Sequence, residues 1–291
     1  MAGQQPPTDL VLRPGRPDDA EACGRICYAA FDSISGRHGK PCDFPSAEAA
    51  AGLLSGLLAH PAFYAVVAEL GGRVVGSNFL DERSAIAGLG PITVDPEVQD
   101  QGVGRRLMED ALGRAAARGF AGVRLLQAAY HARSLALYAK LGFRVREVCA
   151  CMQGDSIGAA IPGYAVRPAR EADLESMDRV CLAVHGHDRS GEVLDAIREG
   201  TATVVEHDGR ITGYATVLAF FGHAVGETTE DLKALIGAAP AFGGPGILVP
   251  ARGPLFDWCL EQGLRVVQLM TLMSRGLYTG PTGAYLPSVL Y

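Results

Sequence analysis

Residues 99–106 read Gln-Asp-Gln-Gly-Val-Gly-Arg-Arg, and they open a helical pattern with two glycines. Glycine is a poor helix former, so it belongs there only if a side chain would block something that must approach the backbone. A helix N-terminus carries unpaired N–H groups and roughly half a positive charge, which favours an anion. Glycines let a phosphate come close to the peptide groups, here those of Gln101, Gly102, Val103 and Gly104. No Gly-Lys-Ser/Thr follows Gly104, so this is not a Walker loop. Leu107 stands where a dinucleotide fingerprint needs its third glycine. Gln99 is placed to hold the loop through side-chain hydrogen bonds, and Arg105 and Arg106 are placed to meet phosphate charge.

The elements that must position this loop follow from hydrophobic period. A short strand at Leu10–Arg13 precedes a helix that starts near Pro17-Asp18-Asp19, with Ala22/Cys23, Ile26/Cys27 and Ala30/Phe31 on one face. The stretch 31–46 reads as irregular, and a second helix runs through Ala47–Leu58. Phe63–Leu70 and Val74–Leu80, joined by Gly71-Gly72, form a hairpin. A strand from Ala85 to Val94 leads into the helix Gly102–Arg118, stopped by Gly119. Val123–Gln127 is a strand, His131–Leu141 a helix and Phe143–Met152 a last strand. The expected fold class is α/β in the mixed α+β sense, with helices on both faces of a sheet.

The chain also repeats itself. Residues 12–31 match 166–185, with Arg13/Arg167, Asp19/Asp173 and Cys27/Cys181 among the shared positions. GGRVVG (71–76) matches DGRITG (208–213), and LGFRV (141–145) matches QGLRV (262–266). The offset falls from 154 to 137 to 121, so the second copy is shortened twice, and the second shortening removes the glycine loop. Two domains are expected, 9–153 and a degenerate 164–291, with the joint in the small-residue stretch 153–163.

The loop resembles the Gln/Arg-x-x-Gly-x-Gly/Ala pyrophosphate motif of the GNAT superfamily of N-acetyltransferases. YHARSLALYAKLGF (130–143) is similar to a second block of that family, Asn-x-x-Ser-x-x-Leu-Tyr-x-x-x-Gly-Phe. The resemblance implies two tandem GNAT-like domains, each a mixed, largely antiparallel twisted sheet flanked by helices. It implies acetyl-CoA as acetyl donor, with its pyrophosphate on Gln99, Asp100, Gln101, Gly102, Val103, Gly104 and Arg105. The pantetheine and thioester would meet the backbone of Ile92, Thr93 and Val94. His131 replaces the family's usual Asn, and its protonation would make its contact with the cofactor arm pH-dependent. Leu126 stands where some relatives carry a Glu as base.

Acetyl transfer to an amine needs a neutral nucleophile, a donor for the oxyanion and a proton for the departing thiolate. Backbone N–H groups near Val94 are candidates for the donor, and the resemblance makes Tyr138 the candidate acid. Asp81 and Glu82 are the nearest acidic candidates to the acceptor by topology, although a turn there would be acidic anyway, and no base is assigned. Phe31, His38, Asp43 and Phe44 of the 31–46 stretch are candidate substrate contacts, because in this family that stretch usually walls the acceptor site. No further ligand clusters with His185, His187 and Asp188, so a helix-capping turn is favoured over a metal, and no metal is expected.

A net charge of −6 argues against a nucleic-acid surface and leans toward a cationic acceptor. The opening residues lack a basic and apolar leader pattern, and no apolar run reaches the ~20 residues of a membrane span. Seven cysteines without metal spacing read as buried thiols of a cytoplasmic protein. The expected function is N-acetyl transfer from acetyl-CoA to a small primary amine by direct attack in a ternary complex. The alternatives are an acyl-CoA sensor without turnover and an acetyltransferase acting on protein amino groups. A homodimer is compatible with all three.

Overall fold

The computed structural model describes residues 9–290, and the expectation about a leader concerns residues almost wholly outside that range. The first copy begins with β1 (Leu10–Pro14), a 3-10 turn at Pro17–Asp19 and α1 (Ala20–Arg37). Next come α2 (Ala47–Ala59), capped by the Ser46 hydroxyl accepting the Ala49 N–H, and the hairpin β2 (Phe63–Leu70) and β3 (Arg73–Asp81). β4 (Ala87–Leu89), β5 (Thr93–Val94), α3 (Val103–Ala117), β6 (Gly122–Ala128), α4 (Ala132–Lys140) and β7 (Arg144–Gln153) complete it.

Two expectations are corrected. Residues 31–37, expected to be irregular, continue α1 to Arg37. Packing of α1 on α2 keeps this Ser/Gly-rich stretch helical, with the Ser35 hydroxyl satisfied by the Phe31 carbonyl, and Gly39, with a φ of +63°, follows its end. The strand expected from Ala85 to Val94 is broken into β4 and β5 at Gly90-Pro91. Pro91 has no N–H to continue a ladder, and Gly90 takes a φ of +138° that side chains rarely adopt.

The second copy runs in the same order: β8 (Tyr164–Pro168), α5 (Leu174–His185), α6 (Ser190–Arg198), β9 (Thr203–His207) and β10 (Arg210–Ala215). β11 (Ala224–Gly226), α7 (Thr229–Ala238), β12 (Ile247–Pro250), α8 (Gly253–Glu261), β13 (Arg265–Gly276) and β14 (Ala284–Leu286) follow. The repeat is visible in side chains as well. Arg13 binds Asp19 and Glu69 at 2.7 Å each, and Arg167 binds Asp173 and Glu206 at 2.7 Å each. Each arginine ties the end of its first strand to the turn before the first helix and to the neighbouring strand.

The strands form two open, mostly antiparallel sheets. The larger runs β1-β2-β3-β4-β6-β13-β7-β12, with β5 paired to β3, and the smaller runs β14-β11-β10-β9-β8. β13 of the second copy therefore lies between β6 and β7 of the first. α3 buries Leu107, Met108, Ala111 and Ala115 against one face of the larger sheet, while Cys23, Cys27 and Leu54 of α1 and α2 pack on the other. All seven cysteines are free thiols. Among the described residues, no helix is long and apolar enough to cross a membrane.

Candidate active site

Gly102 is the N-cap of α3 with a φ of +82°, and Asp100 just before it has a φ of +68°. Two left-handed residues in three turn the chain sharply, so the first N–H groups of α3 are presented at the rim of a cavity. Gln99 holds this turn as expected, its Nε2 donating to the Val94 carbonyl at 3.0 Å. Arg133 of α4 braces it from the other side, bonding both Asp100 oxygens at 2.9 Å and also Gln99 Oε1. Arg105 and Arg106 both line the cavity, but Arg106 donates to the Leu10 carbonyl at 3.1 Å, and Arg105 sits 3.4 Å from Glu109. The fold itself does not require a glycine at 104. A Cβ built there would meet Val94 Cγ2 at 3.6 Å and Leu137 Cδ2 at 3.9 Å, both ordinary contacts. The missing side chain instead keeps open the space in front of the helix, which is the cradle a diphosphate needs.

Beside the loop the sheet splits. β4 pairs with β6 only at Ala87–Val123 and Gly88–Arg124, whereas β5 pairs only with β3, at Val94–Gly76 and Thr93–Ser77. The Asp95 N–H donates to the Val75 carbonyl. Because antiparallel residues alternate in direction, the Val94 N–H then points away from β3 and into the gap toward β6. An extended amide-containing arm could pair with that edge as a strand would.

The loop and the split open into one cavity of about 790 Å³. It brings together Ile92, Thr93, Val94, Gln99, Asp100, Gly102, Val103, Gly104 and Arg105 with His131 and Tyr138. Phe31, Asp43 and Phe44 line it too, as does Leu126, so β6 offers no carboxylate there. Gln101 is not among the lining residues.

Tyr138 is 6 % exposed, and its ring meets Phe143 edge-on at 6.2 Å. Burial pushes its phenol up to about 12, so it keeps its proton at neutral pH, the form an acid requires. The pH dependence expected of a His131 contact falls below neutrality. Burial, reinforced by Arg133, His38 and Arg37, lowers His131 to about 4, and its neutral ring shares a 2.8 Å hydrogen bond with Ser134 Oγ.

Three acceptor-side candidates lie outside the cavity lining. Asp81 is held by Arg83 at 2.6 Å and Glu82 by Arg114 at 2.7 Å, so both carboxylates are engaged in ion pairs. His38 bonds the Ile34 carbonyl at 2.9 Å and its ring lies tilted against Tyr130, with centroids 4.9 Å apart. His185 is buried, and Asp188 accepts the Ser190 N–H at the turn before α6. Sequence reasoning missed Arg133, two residues beyond His131 in the second motif, and the walls from the second copy: Phe220, Phe221, Met270, Val289 and Leu290. Nothing local marks those five residues, because the chain brings them in from more than eighty positions away.

The second copy treats the matching helix differently. Thr228 caps α7, its hydroxyl accepting the Asp231 N–H while Asp231 accepts the Thr228 N–H, and Glu230 and Asp231 fill the first turn. That terminus has its own caps and negative charge, both unfavourable to a phosphate. Cys259 occupies the place of Tyr138 and is fully buried.

Residues 61–145 match the family model of the acetyltransferase (GNAT) domain. A putative acetyltransferase from Pyrococcus horikoshii is similar over 100 % of this chain and 96 % of its own, at 16 % identity and a TM-score of 0.71. A GCN5-related N-acetyltransferase from Sphaerobacter thermophilus is similar over 95 % and 98 %, at 15 % identity and a TM-score of 0.64. A tandem GNAT protein from the clavulanic acid biosynthesis pathway is similar over 92 % and 98 %, at 15 % identity and a TM-score of 0.55. At such identities the likeness speaks for the fold. No curated protein sequence matches the chain.

Proposed function

We propose that this chain, whose residues 61–145 match the acetyltransferase (GNAT) domain model and whose fold is similar to that of tandem GNAT structures, is an N-acetyltransferase using acetyl-CoA as donor. The observation that carries the reading is the convergence on one cavity of the glycine loop, the free edge of β5 and Tyr138. In this reading α3 holds the pyrophosphate and the Val94 N–H binds the thioester oxygen, a contact worth a few kcal/mol as charge develops there. Tyr138 gives a proton to the departing sulfur. Residues 9–153 form the acetyl-CoA-binding unit and residues 164–291 a degenerate unit that walls the acceptor side, since α7 lacks the glycine turn.

Thiol release from acetyl-CoA, followed across a panel of primary amines and a peptide with free amino groups, tests this reading. Release that depends on a small amine supports it. Release only with the peptide moves the acceptor to protein amino groups, and tight binding without release for any acceptor would make the protein a sensor, the role suggested by Leu126.

A further inference from the structure

We propose that the acceptor end of the cavity is a site for a primary amine on an apolar, ring-bearing body, with Asp43 receiving the ammonium group. The proposal rests on the acetyl-transfer reading above. Asp43 lines the cavity between α1 and α2, and the partner it faces across the chain is a neutral amide, Gln268 Nε2, at 3.0 Å. The titratable groups around it are Cys27 of α1, Cys42 beside it, Tyr130 before α4 and Cys151 of β7. Burial raises all four, Tyr130 and Cys151 to about 12, so none is charged at neutral pH. Arg37 ends α1 and His38 follows it, Arg37 on the cavity wall. In these surroundings burial lifts Asp43 itself to about 6. A half-buried carboxylate beside uncharged groups is costly to ionise, and an arriving cation relieves that cost.

Four phenylalanines stand on the same wall. Phe31 meets Phe44 edge-on at 5.6 Å, Phe44 lies 6.4 Å from Phe221, and Phe221 meets Phe220 edge-on at 5.6 Å. Two of these rings come from each copy, so the site exists only where the copies meet. One carboxylate set in a run of rings suits one ammonium on an apolar body. A polyamine or an aminoglycoside would leave further charges or hydroxyls against the rings without partners.

The protons balance as follows. The amine arrives as an ammonium ion and passes one proton to Asp43, which releases it to solvent. The neutral nitrogen forms a bond to the acetyl carbonyl carbon as the carbon–sulfur bond breaks. The second nitrogen proton ends on the sulfur by way of Tyr138. The products are an amide, a free thiol and one proton.

Thiol release is measured at saturating acetyl-CoA with 2-phenylethylamine, spermidine and kanamycin, for the native protein, Asp43→Asn and Asp43→Glu. The expected result is a kcat/KM for 2-phenylethylamine at least about tenfold above the other two. Asp43→Asn should lower it by roughly 100-fold with coenzyme A affinity unchanged, and Asp43→Glu should restore part of the loss. The native profile should fall below about pH 6, where Asp43 is protonated, and this limb should vanish in Asp43→Asn. A preference for spermidine or kanamycin, or an Asp43→Asn protein with native kinetics, would overturn the proposal. If no amine releases thiol, the acetyl-transfer reading fails separately. Titration of 2-phenylethylamine into the coenzyme A-loaded protein then decides the site: binding lost in Asp43→Asn upholds it, and no binding overturns it.

Discussion

Cys149 of β7 and Met270 of β13 face each other across the larger sheet, and they are also repeat counterparts at the 121-residue offset that relates LGFRV to QGLRV. The flanking pairs, Ala150–Leu269 and Val148–Thr271, exchange roles under the same offset. A local two-fold axis therefore passes between Cys149 and Met270, as it would between two subunits of a symmetric dimer. Here both partners belong to one chain, and β13 of the second copy completes the sheet of the first.

That exchange has a consequence for folding. Without β13, β6 and β7 would each lose a full ladder and expose Leu126, Cys149 and Cys151. A fragment ending at residue 163 is expected to form dimers or aggregates rather than a folded monomer. Light scattering and thermal unfolding check this, and a monomer that unfolds cooperatively would contradict it.

The sequence displayed the glycine turn and the repeat because both are local patterns, readable from Gly102, Gly104 and the Arg13/Arg167 alignment. Strand exchange left no such trace: β13 reads the same whichever neighbour it pairs with, since pairing partners are set by the whole sheet. The same limit hid Gln268 and Phe221, whose distance in sequence from Asp43 and Phe44 conceals their proximity. Phe31–Arg37 reads as irregular because Ser and Gly lower local helix propensity, which packing against α2 overrides.

Replacing Tyr138 with Phe removes one hydroxyl and keeps the ring that packs on Phe143. Turnover should fall by about 10²–10⁴-fold with little change in coenzyme A affinity or melting temperature. Steady-state kinetics with calorimetry check this, and an unchanged kcat would reduce Tyr138 to a packing residue.

His131 provides a pH test. Its folded pKa of about 4 lies below the ordinary 6.5, so the unfolded chain binds the proton more readily. The contribution to stability is complete above pH 6.5 and is lost as pH falls toward 4. His131→Asn should therefore unfold at lower pH than the native protein. Because His131 stays neutral there, the native protein and His131→Asn should show the same pH profile of coenzyme A affinity from about pH 5.5 to 8. Acid unfolding curves and titrations at three pH values check both statements.

The central claim is that the head of α3 clasps a diphosphate, and calorimetric titration of coenzyme A tests it most directly. One site per chain is expected, because Thr228 closes the matching helix of the second copy. Gly104→Leu should weaken binding by roughly 10–100-fold, the loss of one or two charge-assisted hydrogen bonds. Its melting temperature should hold, since a Cβ at 104 makes only ordinary contacts and the cavity lies beyond it. A native protein that does not bind coenzyme A, or a Gly104→Leu protein that binds it unchanged, would contradict the account.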